Sequence, residues 1–134
     1  MIAVSGSGIA GLAAALAILR NQKPLLLVAG STPATTLQGG VQIAPNGWAA
    51  LEQLGLGDSA RARATPLQAI TVRDMRSTAT LASLDLSASP YASLSRADLA
   101  SLLRAEISAL SGMTDIAANI THAVQRGPDQ GKAV

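Results

Sequence analysis

The chain has 134 residues, a common size for one domain, but Trp48 and Tyr91 are its only aromatics and 49% of it is hydrophobic. A core of Ala and Leu buries less area per residue than one with aromatics, so a partner domain or further C-terminal segment is expected to complete it. Ten Lys and Arg against eight Asp and Glu give a net charge of +2, too weak to imply nucleic acid, and the lack of cysteine excludes disulfides and thiolate chemistry and agrees with the cytoplasm.

Ile2 to Ser5 is a short apolar run that leads into Gly6-Ser7-Gly8-Ile9-Ala10-Gly11 and then an Ala/Leu segment ending near Arg20. Ala and Leu are strong helix formers, and this segment is apolar nearly all round, which predicts a helix buried against a sheet. It is too short to span a bilayer, which takes about 20 apolar residues, and no basic residue precedes it as in a signal peptide. Leu25 to Ala29 reads as a buried parallel strand, completing a βαβ start. Gly30 to Gln42, rich in Gly, Ser, Thr and Pro, reads as a loop.

Pro45-Asn46 opens a second helix, with Asn46 as the expected N-cap, Trp48, Leu51 and Leu54 on one face, and Gly55 as the stop. Leu67 to Asp74 and Thr80 to Leu86 alternate loosely around a polar turn, the pattern of an antiparallel hairpin in a different sheet. Ser95 and Asp98 fit a capping box and Leu94 and Leu99 a hydrophobic staple, opening a third helix. Its apolar face is Leu99, Leu102, Leu103, Ile107 and Leu110, and Gly112 is expected to close it. Asp115 to Val124 reads as a further strand and Arg126 to Lys132 as a polar tail. The fold class is therefore α/β: a Rossmann-like βαβ start with a parallel sheet, plus a hairpin of a second sheet.

The chemistry-bearing motif is the G-x-G-x-x-G of Gly6, Gly8 and Gly11 between a strand and a helix, which is the context a dinucleotide fingerprint requires. Gly6 permits the tight turn, Gly8 lets a pyrophosphate approach the backbone, and Gly11 lets the helix pack closely. Backbone N–H groups from Ser7 to Gly11 and the positive end of the helix dipole would hold the phosphates. The fingerprint also places an acid about 20 residues on, to bind ribose hydroxyls. That position is Ala29, and no Asp or Glu precedes Glu52. FAD, with its many contacts, tolerates this loss better than NAD. No metal site is expected. His122 is read as having a structural or surface role rather than a catalytic one, and no Ser or Thr is paired with a base as a nucleophile.

Gly6 to Gly11 with its helix, Gly39-Gly40-Val41-Gln42-Ile43-Ala44-Pro45-Asn46 leading into Leu51-Glu52-Gln53-Leu54-Gly55-Leu56-Gly57-Asp58, and Ser95-Arg96-Ala97-Asp98-Leu99 occur in this order. Together they resemble the amino-terminal part of the single-component FAD-dependent aromatic hydroxylases, the salicylate hydroxylase-like and ubiquinone-biosynthesis branches being nearest. The resemblance implies a monooxygenase that uses FAD, NAD(P)H and O₂ on an aromatic or quinone-like ring. It implies cofactor contacts at Gly6, Ser7, Gly8, Ile9, Ala10 and Gly11, at Ala29, at Gly40 and Val41 beside the flavin, at Arg96 on its ribityl-phosphate region, and at Ile120 near the adenine. A cation at the start of a helix opposes the helix dipole, and an anionic ligand would compensate for that at Arg96. Residues 1–65 and 90–134 would then form an incomplete FAD-binding domain and 66–89 a hairpin of the substrate domain.

A second, Gly-Asp-containing motif of that family would fall past Val134. The chain thus reads as the front portion of a hydroxylase, as a fragment or a degenerate relative, completed by the rest of its own chain or by a second copy. Two other readings compete: a nicotinamide-dependent dehydrogenase, and a module that kept the fold but lost the cofactor.

Overall fold

The computed structural model describes residues 2–29, 39–110 and 113–117. The first part contains β1 (Ile2–Ser5), α1 (Ile9–Arg20), β2 (Leu25–Ala29), β3 (Gly40–Ile43), α2 (Pro45–Gln53) and α3 (Gly57–Arg61). The second contains β4 (Thr65–Pro66), β5 (Ala69–Arg73), β6 (Thr80–Asp85), β7 (Ala92–Ser95), α4 (Arg96–Ala109) and β8 (Met113–Ala117).

These strands make three sheets. One is parallel in the order β1-β2-β8, with Val4 opposite Leu27 and Leu27 opposite Asp115. The second is antiparallel, β3-β7-β4, and the third is the β5–β6 hairpin alone. Leu12, Leu16, Leu25, Leu27, Leu99, Leu103 and Ile107 share one buried cluster. It forms where α1 and α4 pack together over the parallel sheet. Each such Leu contributes about 1.5–3 kcal/mol of burial.

Helix ends follow local chemistry. Leu56 N–H donates to Leu51 O (2.8 Å) and Gly55 N–H to Glu52 O (2.9 Å), a Schellman motif closed by Gly55 at φ +67°. Helix α1 ends the same way: Lys23 N–H donates to Ile18 O and Gln22 N–H to Leu19 O, with Gln22 itself at φ 54°. At α4, Ser95 Oγ accepts from Asp98 N–H (3.0 Å) and donates to Asp98 Oδ2 (2.6 Å). Leu94 and Leu99 are both buried, as the staple predicts.

Several expectations need correction. Gly40 to Gln42 is strand, not loop: β7 supplies an antiparallel partner for it that no local propensity reveals, pairing Gly40 with Ser95 and Ile43 with Ala92. Asn46 is not the N-cap of α2. Pro45, with its fixed φ and no N–H, takes the first helical position, so the cap falls on Ala44, which has no side-chain acceptor. Helix α4 ends at Ala109 with Leu110 extended; Gly112, read as its stop, lies outside the described residues. The last strand begins at Met113 and is described only to Ala117. The short elements α3, β4 and β7 were not expected, since two to five residues carry too little periodicity to read.

Candidate functional site: a glycine turn at the carboxyl edge of the parallel sheet

The turn after β1 is built by its glycines. Gly6 N–H donates to Val28 O at 2.9 Å, which carries the β1–β2 ladder one residue further. The chain then reverses with Gly6 at φ +108°, where a side chain is strained. A Cβ at Gly11 would overlap the Gly6 carbonyl, with its carbon at 2.8 Å, so α1 sits directly on the turn. Gly8 differs. It is the N-cap of α1 at φ −74° and ψ 178°, and a Cβ there would meet no heavy atom within 4 Å. The backbone at Gly8 therefore borders open space.

Helix α1 has no side-chain cap and no acidic residue in its first turn, whereas α4 has both. The first-turn N–H groups of a helix have no intrahelical partners and carry a partial positive charge. At α4, Ser95 and Asp98 answer that charge. At α1 nothing in the described protein does, which suits an external anion such as a pyrophosphate.

Topology brings the other predicted residues to the same end. Both α1 and α4 lead through short connections into strands of the parallel sheet, β2 and β8, so each runs opposite to those strands. Arg20 in the last turn of α1 bonds Glu106 in the last turn of α4 at 2.6 Å, as expected of helices lying side by side in one direction. Their N-termini therefore share the carboxyl edge of the sheet, where β2 ends at Ala29. In open α/β sheets ligands bind in the crevice at that edge.

Arg96 is the first residue of α4 and is exposed. Its N–H donates to Gly39 O at 3.0 Å, and Gly40 lies opposite Ser95 in the β3–β7 ladder. Gly39, Gly40 and Arg96, far apart in sequence, are thus neighbours. Arg63 adds an ion pair to Asp98 at 3.8 Å. That pair and the Gly39 contact do not follow from local sequence, because Arg63 is brought to α4 by the nonlocal β4–β7 pairing and Gly39 by β3–β7. The acid expected where β2 ends is absent, Ala29 standing there, so the carboxylate contact to a ribose is not supplied at that position. Ile120 and His122 lie outside the described residues. Among the described residues no group of His, Cys, Asp and Glu could hold a metal ion, and no helix is long and apolar enough to cross a membrane.

A parallel sheet with a glycine-rich strand–turn–helix at its carboxyl edge defines a Rossmann-like dinucleotide-binding fold. No family model matches the chain. It is 39% identical over 105 residues to 3-amino-4-hydroxybenzoate 2-monooxygenase PtnB3 of Streptomyces platensis, covering 73% of this chain and 26% of that protein. It is 30% identical over 125 residues to 3-hydroxybenzoate 6-hydroxylase 1 of Aquipseudomonas alcaligenes, covering 88% and 32%. Its fold matches PqsL of P. aeruginosa, solved in complex with 2-aminobenzoylacetate, with a TM-score of 0.80 at 20% identity, over 95% of this chain and 35% of that one. The chain is related, in sequence and in fold, to the amino-terminal part of the FAD-dependent aromatic monooxygenases. It spans about a quarter to a third of the length of these relatives.

Proposed function

We propose that this chain binds FAD at the Gly6–Gly11 turn as the amino-terminal part of a cytoplasmic flavin-dependent monooxygenase. That enzyme would use NAD(P)H and O₂ to hydroxylate an aromatic or quinone-like ring. The observation that carries the reading is the first turn of α1: N–H groups with no cap and no acid, beside a Gly8 whose Cβ position is open. When bound, FAD supplies the redox chemistry, and the protein supplies binding and orientation. The N–H groups of Ser7 to Gly11 would take the pyrophosphate, and Arg96 would add a charge-assisted contact on the ribityl-phosphate side. Gly40 and Val41 would lie along the flavin, and Ala29 and Ile120 towards the adenosine end.

The names of the two curated relatives support an aromatic substrate, since both are monooxygenases or hydroxylases of hydroxybenzoates rather than dehydrogenases. Residues 1–65 and 90–134 then belong to the FAD-binding domain and 66–89 to the substrate domain. The exposed Val72 and Leu84 on one face of the hairpin support this division, as that face has nothing over it among the described residues. A lone two-stranded hairpin is marginal in water.

The test is a titration of the purified chain with FAD. Bands near about 375 and 450 nm that co-elute with the protein, with quenched flavin emission, are expected of the bound cofactor. FAD that stays free at millimolar concentration would refute the reading.

A further inference from the structure

Helix α4 carries opposed charges in its first turn. Arg96 is its first residue, and Asp98 adds a carboxylate to the same turn. Asp98 is held there by the cap: its Oδ2 accepts from Ser95 Oγ at 2.6 Å, and its N–H donates to Ser95 Oγ at 3.0 Å. A carboxylate in that place answers the helix dipole and so opposes any anion brought to Arg96. Arg96 and Asp98 together sum to zero charge.

A third charge arrives from another element. Strand β7 runs into α4 between β3 on one side and β4 on the other. On the β3 side, Gly40 lies opposite Ser95 and Arg96 N–H donates to Gly39 O. On the β4 side, Thr65 lies opposite Ser93, and Arg63, just before β4, reaches the start of α4 from across β7. Its Nη1 stands 3.8 Å from Asp98 Oδ1, the oxygen that the Ser95 hydroxyl does not engage. Both side chains are half-exposed, so the pair adds little to stability. Its effect on the local charge is larger, because with Arg63 the start of α4 carries one net positive charge.

We infer that Arg63 is a positioning residue of the anion site. It acts from the side of β7 away from Gly39 and, by neutralising Asp98, leaves the Arg96 end of α4 attractive to a phosphate. This rests on Arg96 contacting FAD.

Isothermal titration with FAD tests it. Arg63→Gln should weaken FAD about three- to tenfold at low salt, the effect of one uncompensated surface charge about a helical turn away. Arg63→Lys, which keeps the charge, should bind nearly as the parent does. Adding Asp98→Asn to Arg63→Gln should restore the affinity, and Asp98→Asn alone should bind FAD at least as tightly as the parent. The gap between parent and Arg63→Gln should close in about 1 M salt, where the screening length is about 3 Å. A purely structural role for Arg63 would instead give a loss that neither Asp98→Asn nor salt relieves, and that result would overturn the inference. Unchanged FAD affinity in Arg63→Gln would overturn it too. If that variant does not fold, Asp98→Asn alone decides, and weaker FAD binding by it refutes the role. A parent chain that takes up no FAD would refute the cofactor reading separately. Inorganic pyrophosphate, followed by the Arg96 amide shift, then makes the same comparison, and equal responses of parent and Arg63→Gln would overturn the role of Arg63.

Discussion

Gly8 and Gly11, three residues apart in the same turn, should fail in opposite ways when each is replaced by alanine. At Gly11 the new Cβ would overlap the Gly6 carbonyl oxygen and lie 2.8 Å from its carbon. Backbone cannot swing aside as a flexible side chain can, so α1 must lift from the turn. Overpacking costs about 1–3 kcal/mol, and overlap with rigid backbone takes the upper part of that range, about 2–3 kcal/mol, against which the better helix propensity of Ala recovers about 0.8–1 kcal/mol. A net loss of about 1–2 kcal/mol would lower the melting temperature by roughly 3–10 °C for a chain of this length. At Gly8 the backbone is in an ordinary extended conformation and the Cβ site is empty to 4 Å. Gly8→Ala should lose only the N-cap preference, under about 1 kcal/mol. Its methyl group would occupy the space a pyrophosphate needs, and FAD affinity should fall at least about tenfold. Thermal unfolding by circular dichroism, paired with an FAD titration, separates the two effects. A Gly11→Ala protein at least as stable as the parent would refute the packing argument. A Gly8→Ala protein that binds FAD like the parent would refute the close approach.

Arg96→Ala should weaken FAD by about ten- to a hundredfold, the loss of a bond to a charged group of about 1.5–3 kcal/mol; unchanged binding by isothermal titration would remove Arg96 from the site. Leu103, 1% exposed in the α1–α4 core, should lose about 2–5 kcal/mol on replacement by Ala, read as a shifted urea midpoint. The carboxyl of Asp74 is held below the ordinary carboxylate range by the Ser77 N–H, the Ser77 hydroxyl and the Arg76 N–H. Its folded pKa is the depressed one, so its contribution to the hairpin turn is present above the unfolded value of about 3.9 and is lost as pH falls through the lower folded value. Amide shifts of Arg76 and Ser77 should stay constant down to that region and then move together; a midpoint above the ordinary value would contradict the turn geometry. The Arg20–Glu106 pair, with both side chains 34% exposed, should show a coupling of about 0.2–1 kcal/mol in a double-mutant cycle, and a larger value would mean that it clamps the two helices.

Much of this protein is encoded locally. The glycine turn, α1, β2, the β5–β6 hairpin and the cap of α4 were all legible because each depends on residues within a few positions of one another. Gly6 is needed for a positive φ, Ser95 and Asp98 are one helical turn apart, and Leu99, Leu102, Leu103 and Ile107 repeat at helical spacing. Pro45 shows the limit even of local rules. Two capping signals compete at residues 45 and 46, and the fixed proline φ outweighs the asparagine side chain.

The residues from 2 to 29 by themselves determined the strand, the turn and the uncapped helix start, because backbone sterics and unpaired N–H groups are properties of a short segment. Only the tertiary structure decided that Gly39 and Gly40 lie against Arg96, since that contact exists through β3 pairing with β7 some fifty residues on. The same holds for the common direction of α1 and α4, which places Arg96 at the glycine-turn end of the sheet. Sheet pairing and helix packing join segments whose separation in sequence carries no periodic signal, so a site assembled from them becomes visible only once the chain has closed on itself.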